Sequence, residues 1–239
     1  MCIRDRVYSI VGQHGSGTGI PADKKAGTLA INHNNYSPFV RSLIVALDDW
    51  ISQDKTPPPS VYPNFKNGTL VSFKESGNDW KIPKVSYPKV IQQAYIADFG
   101  NDFETNKEIT QHPPIIQATY PIFVAKLDTN NNEMGMLKHP AVSVPTGTYT
   151  GWNLRTKEMG AAGDLLRLTG GYIPFATTKK KRMSTGDKRL SIKERYKNFQ
   201  TYLVAYEEAT LELFKKGYLL EEELTGIKAL AKKNSQLIE

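Results

Sequence analysis

The placement of proline constrains this chain more than any other feature of its sequence. Residues 57–146 contain 11 of the 14 prolines. Because proline lacks a backbone N–H and clashes with the preceding helical turn, long helices are not expected there. On both sides of this stretch, apolar residues recur at helical spacing. The sequence therefore predicts an α/β chain of three segments: residues 7–56, a proline-rich β segment over 57–170, and a helical C-terminal segment over 171–239.

The first segment combines a short apolar run, a glycine-rich loop and an amphipathic pattern. Val7–Val11 is rich in β-branched residues and predicts a buried strand. The loop Gly12–Gly19 contains four glycines. Apolar residues at helical spacing then predict a helix over Phe39–Ser52, with Ser37 as its N-cap. This order of strand, loop and helix is typical of one unit of an α/β sheet.

His14 is the strongest candidate for chemistry in the sequence. It lies in the glycine-rich loop directly after the predicted strand, and imidazole exchanges protons near neutral pH. The alternative is a loop histidine that bonds only to backbone. The loop does not fit the nucleotide-binding motifs well, because Thr18 stands where a Walker A loop needs lysine and Pro21 interrupts the nominal Rossmann match.

The middle segment predicts short strands. Thr69–Phe73 forms one candidate strand. The clearest hairpin joins Thr119–Leu127 to Met134–Val144 across the turn Asp128–Asn132, because Asn and Asp tolerate the left-handed conformations that such a turn needs.

The C-terminal segment predicts helices. Ser191 followed by Glu194 is typical of a capping box. Apolar residues keep helical spacing from Phe199 to Phe214, and Gly217 ends that helix. A final short helix is predicted around residues 220–230.

This segment is also the most basic part of the chain. Residues 174–239 hold 14 Lys and Arg against 9 Asp and Glu, and the whole chain carries a net charge of +7. The excess indicates either a solvated helical surface or a non-catalytic interaction module whose basic tail binds a polyanion. The run Lys179–Arg182 has no interleaved aromatic residues, so base stacking is not indicated and no nucleic acid partner is predicted.

The number of cysteines, the spacing of histidines and the length of apolar runs exclude several other classes of protein. The single cysteine, Cys2, forms no intrachain disulfide and no cysteine zinc site. The four histidines lack the spacing of zinc proteases, so no metal is predicted, and no cofactor is predicted either. No run of about 18 apolar residues occurs, so no membrane-spanning helix is expected.

Five stretches in this order resemble the C-terminal part of bacterial α/β hydrolase domain-containing proteins. The resemblance covers roughly residues 7–235. The stretches are Val11–Gly15, Ser37–Trp50, Thr56–Pro63, Thr148–Arg155 and Gly171–Ala176.

The resemblance implies a serine hydrolase that acts on carboxylic esters by acyl transfer. In this fold the catalytic order is nucleophile, acid, histidine, with the histidine after the last strand. His14 would be that histidine. The chain contains no G-x-S-x-G motif, so the serine, the acid and most of the sheet are expected upstream, in a missing N-terminal part of the same protein. The chain alone is then expected to be an inactive fragment.

Further expectations follow from the same resemblance. Tyr149, Trp152 and Asn153 are candidates for lining the site of a small-molecule ester, although Trp152 could equally be a core aromatic residue. Independently of the family resemblance, residues 1–6 resemble an adaptor-derived leader on translated metagenomic reads and are not expected to be native. Without upstream neighbours, the backbone groups of Val7–Val11 are expected to stay unpaired.

Overall fold

The computed structural model describes residues 5–12, 27–89, 91–234 and 238. Within them the chain mixes helices and strands, as predicted for an α/β chain. The strands are β1 (Ala30–Ile31), β2 (Leu70–Ser72), β3 (Tyr95–Asp98), β4 (Ile115–Thr119), β5 (Phe123–Ala125), β6 (Gly147–Thr150) and β7 (Gly171–Pro174). The helices are α1 (Ser37–Gln53), α2 (Phe73–Asp79), α3 (Phe103–Asn106), α4 (Pro140–Ser143), α5 (Lys179–Thr185), α6 (Ile192–Arg195), α7 (Phe199–Lys215) and α8 (Glu223–Lys233).

The central sheet takes one strand from each of the three predicted segments. Its order is β1–β7–β6, and both pairs are antiparallel. Tyr172 lies opposite Ala30 on one side and opposite Tyr149 on the other. Two further antiparallel pairs, β2–β5 and β3–β4, lie outside this sheet. The sheet therefore joins all three predicted segments.

The segment Val7–Val11 is paired, and the expectation that its backbone groups stay unpaired is wrong. The backbone N–H of Ser9 donates to the carbonyl of Val61 at 2.8 Å, and that of Val11 donates to the carbonyl of Leu137 at 2.9 Å. Both contacts are single parallel bridges rather than a continuous ladder. Residues of the middle segment of the same chain therefore form hydrogen bonds with the backbone of Val7–Val11.

Helix α1 confirms the predicted helix, with two differences. It begins at Ser37, so Ser37 lies inside the helix, and Tyr36 is the N-cap without a side-chain hydrogen bond. Its buried face consists of Pro38, Phe39 and Ser42. Of its apolar residues at helical spacing, Val40, Ile44, Leu47 and Ile51 are exposed, whereas Leu43 and Trp50 are half-buried.

The middle segment forms strands with partners other than those predicted. β2 confirms the strand at Thr69–Phe73, and its last residue, Ser72, caps α2. β5 pairs with β2, and the predicted hairpin is reduced to one bridge between Leu127 and Glu133. α4 replaces the end of its second strand because Pro140 fits a first helical turn, which the His139 side chain caps.

The predicted capping box is present, although it starts only a short helix. The Glu194 carboxylate accepts from the backbone N–H of Ser191 at 2.9 Å, and this box opens α6. A separate cap, Asn198, starts α7 by accepting from the Thr201 N–H. α7 packs on α8 and on α4. Four large rings at the centre of the core are fully buried: Phe39, Tyr149, Tyr202 and Tyr206.

Candidate active site

An aromatic cavity of about 320 Å³ lies between α2, β5 and β6. Three large rings on its wall contact one another. The Trp80 and Trp152 centroids are 5.2 Å apart, and Tyr87 lies 5.6 Å from Trp80 and 5.7 Å from Trp152. This volume falls within the range of small-molecule sites, which are mostly apolar with a few polar groups.

Local hydrogen bonds hold Trp80 and Tyr87 in place. The Trp80 indole N–H donates to the Val85 carbonyl at 2.9 Å. The Tyr87 hydroxyl bonds to the Ser76 hydroxyl at 3.0 Å. Burial raises the pKa of Tyr87, so its hydroxyl stays protonated at neutral pH. Residues 73–88 therefore present two fixed rings to the cavity.

Two of the predicted lining residues, Tyr149 and Trp152, lie on the wall of this cavity. Tyr149 is on β6, and its hydroxyl lies 3.3 Å from Thr146 Oγ1 and 3.4 Å from His33 Nε2. Burial raises the pKa of Tyr149 well above its usual value. Near neutral pH, Tyr149 is therefore an uncharged ring on the cavity wall and does not act as an acid or a base.

The third predicted lining residue, Asn153, does not line the cavity. It is fully buried. Its Oδ1 accepts from the Leu29 N–H at 3.0 Å and from the Leu154 N–H at 2.9 Å, and its amide donates to the Leu29 carbonyl. Since both ends of its side chain bind backbone, Asn153 holds the chain before β1 against the chain after β6.

One carboxylate, that of Glu133, lies on the cavity wall. Its Oε2 accepts from the backbone N–H of Gly12 at 3.3 Å. Gly12 has a φ of 61°, a conformation that favours glycine, and a Cβ there would lie 2.8 Å from the Asn32 side chain. The aromatic cavity thus adjoins the residue at which the chain enters the glycine-rich loop.

His14, predicted as the catalytic histidine, lies outside the described residues, which resume at Gly27. Of two other histidines, His139 is buried and His33 is half-buried. Burial lowers the pKa of His33 to about 4 and that of His139 to about 4. Both rings are therefore neutral at pH 7 and poorly suited to exchange protons there.

Sequence reasoning missed Trp80, Tyr87 and Glu133. Nothing in their spacing links them to Trp152, because the fold brings them together from distant parts of the chain. The only local signal was the Asp128–Asn132 turn, which places Glu133 directly after it.

The basic run at residues 179–182 lies on α5. The Arg182 guanidinium is engaged, since its Nε lies 2.6 Å from the Glu194 carboxylate. The three lysines before it are exposed, which is the ordinary arrangement of a solvated helical surface.

The part of the chain that the structure describes offers neither a metal-binding cluster nor a membrane-spanning helix. No group of three or more His, Cys, Asp or Glu side chains there could hold a metal ion. Along the same residues, no helix combines the length and apolar character needed to cross a bilayer.

Comparison with known proteins gave one finding. A family model described as an alpha/beta hydrolase domain matches residues 10–229. Neither the curated proteins nor the solved structures gave a match. The matched range includes every residue of the aromatic cavity wall named above.

Proposed function

Because the chain belongs to the α/β hydrolase domain family, we propose that it is part of a serine hydrolase that cleaves carboxylic esters. One observation carries the proposal. The aromatic cavity adjoins Gly12, through the Glu133 carboxylate on its wall, and the predicted catalytic histidine follows Gly12 by two residues.

His14 is the general base of this proposal. It takes the proton from a serine hydroxyl as the serine oxygen attacks the ester carbonyl, and it returns that proton to the departing alcohol. Water then attacks the acyl-serine with His14 again as base, which releases the carboxylic acid and restores the serine. The cycle consumes one ester and one water and needs no cofactor.

The serine and the acid of this cycle are proposed to lie outside the 239 residues. The chain has no G-x-S-x-G motif, and in this fold both groups precede the histidine. The domain assignment follows: residues 7–56 carry the last strand, histidine loop and last helix of the core, 57–170 a β extension, and 171–239 a helical segment.

The cavity favours an ester with an aromatic or flat apolar group. Three rings provide apolar surface for such a group, and offset or edge-to-face contacts between rings add about 0.5–1.5 kcal/mol per pair. The negative charge of the Glu133 carboxylate on the same wall disfavours a substrate that places a negatively charged group in this cavity.

The first test concerns His14 in the full-length protein. His14→Ala is expected to lower kcat by about 10⁴–10⁶, because members of a catalytic triad act as a unit. His112→Ala is the matched control, since His112 is exposed, and it should leave turnover unchanged. A His14→Ala protein that folds and keeps about a tenth or more of wild-type turnover would show that His14 is not the base.

The second test concerns the chain of 239 residues by itself. We expect it not to hydrolyse a short-chain p-nitrophenyl ester, because the nucleophile is proposed to lie elsewhere. A serine-directed phosphonate should label the full-length protein and not this chain. Ester hydrolysis by the chain alone, abolished by His14→Ala, would place the nucleophile within it and refute that part of the proposal.

A further inference from the structure

A second, much smaller cavity of about 20 Å³ lies where the chain after β1 meets α4, α7 and α8. Its walls carry an unusual concentration of unpaired polar atoms. Seven buried side-chain atoms have no hydrogen-bond partner among the described residues, and six of them belong to residues lining this cavity. They are His33 Nδ1, both amide atoms of Asn34, His139 Nε2, the Tyr206 hydroxyl and Asn234 Oδ1.

The protein fixes the hydrogen on one of these atoms. His139 Nδ1 accepts from the Ala141 N–H at 3.2 Å, so Nδ1 carries no hydrogen. The ring is neutral at pH 7, because burial lowers its pKa to about 4. Its single hydrogen is therefore on Nε2, which makes His139 Nε2 a donor toward the cavity.

Another of the six atoms is fixed as an acceptor. The Asn234 amide nitrogen donates to the Tyr202 hydroxyl at 2.5 Å, which leaves Asn234 Oδ1 as the acceptor. Asn34 offers one donor and one acceptor, and the Tyr206 hydroxyl can act as either. The cavity wall thus presents both kinds of group to a single small space.

We propose that this cavity binds one ordered water molecule. A water needs about 10–15 Å³ of space for its centre and two to four polar partners, and the cavity supplies both. Water can accept from His139 Nε2 and donate to Asn234 Oδ1. A cation is opposed by His139 Nε2 and by Lys233, which also lines the cavity, and an anion is opposed by Asn234 Oδ1. The bound water links the sheet side of the core, through His33 and Asn34, to the helices α4, α7 and α8.

The substitution Tyr206→Phe tests this proposal, because a bound water determines whether the substitution lowers Tm. With water bound, the hydroxyl is hydrogen-bonded, and its loss lowers Tm by about 2–4 °C for a chain of this size. Without water, the hydroxyl is an unsatisfied buried group, and removing it leaves Tm unchanged or raises it. We expect Tm to fall, as measured by circular dichroism.

Tyr218→Phe is the matched control. The Tyr218 hydroxyl donates to the Pro59 carbonyl at 2.8 Å, so its removal should lower Tm whether or not the cavity is hydrated. A crystal structure of the protein at high resolution provides an independent measurement, with a density peak expected within about 3.2 Å of His139 Nε2. A Tyr206→Phe protein as stable as wild type or more so, or a crystal structure without that peak, would overturn the proposal.

Discussion

Two desolvated histidines, the half-buried His33 and the buried His139, make stability depend on pH. The folded-state pKa is about 4 for His33 and about 4 for His139, against about 6.5 in an unfolded chain. Between these values the unfolded chain binds more protons, so the free energy of unfolding falls as pH falls. We expect each histidine to lower the free energy of unfolding by at most about 1.4 kcal/mol per pH unit between about pH 6.5 and pH 4, as measured by urea unfolding at pH 7.5, 6.0 and 5.0.

His139→Asn is the control for this pH dependence. An asparagine side chain can accept from the Ala141 N–H in place of His139 Nδ1, and it does not titrate. This variant should show about half the wild-type slope. The paired carboxylates Glu194 and Glu223 have lowered pKa values and lose their contribution only at more acidic pH. Equal stability at pH 7.5 and pH 5.0 would contradict the assignment of neutral, buried histidines.

At the scale of single elements, α1 leaves an apolar face exposed. Ile44 is 61% exposed, Leu47 51% and Ile51 78%, and these residues recur along one side of the helix. Exposed apolar surface of this kind promotes association. We therefore expect this chain to self-associate as its concentration rises, as measured by sedimentation velocity.

The double substitution Ile44→Gln and Leu47→Gln should reduce that association without lowering Tm, since both side chains already face solvent. Val204→Gln with Leu211→Gln is the matched control on α7, where these two residues are also exposed. This control should associate like the wild type. If the wild-type chain remains monomeric at every concentration, the exposed face of α1 does not drive association.

Sequence periodicity predicted where the long helices lie, but it did not predict what packs against them. The apolar spacing located α1 and α7, and the Ser191 capping box is present. The same spacing could not show which face of α1 the core covers, because periodicity marks apolar residues without identifying what packs on them. For the same reason it could not predict that β5 pairs with β2, since strand pairing depends on distant parts of the chain.

The candidate site was predictable only in part. Tyr149 and Trp152 came from the family resemblance. Trp80, Tyr87 and Glu133 reach the same cavity through tertiary folding, and no local pattern marks a residue as part of a shared wall. Asn153, by contrast, was predicted to line the site and does not, because its side chain forms hydrogen bonds to backbone groups instead.

Across the whole molecule, hydrogen exchange should follow the observed pairing. The amides of Ser9, Val11 and Leu137 donate to carbonyls in other segments, so their exchange should be slow. The antiparallel pair β3–β4 should exchange faster, because every residue of β4 is exposed. Amide exchange followed by NMR or mass spectrometry measures this order, with the amides of α7 as the protected reference.

The opposite order of exchange rates would change the interpretation of residues 7–11. Fast exchange over residues 7–11 would indicate that the bridges to Val61 and Leu137 open readily. The original expectation, that this strand needs neighbours from outside the chain, would then be favoured.

The strand order of the central sheet also sets when it can form during translation. Ile31 of β1 pairs with Gly171 of β7, about 140 residues later, whereas β6 and β7 are near neighbours along the chain. At about 5–20 residues per second, the ribosome needs roughly 10–30 s to synthesise the intervening chain. During that time β1 has no partner from this sheet. A nascent chain that stalls between residues 151 and 170 therefore holds both outer strands of the sheet and lacks the one that joins them.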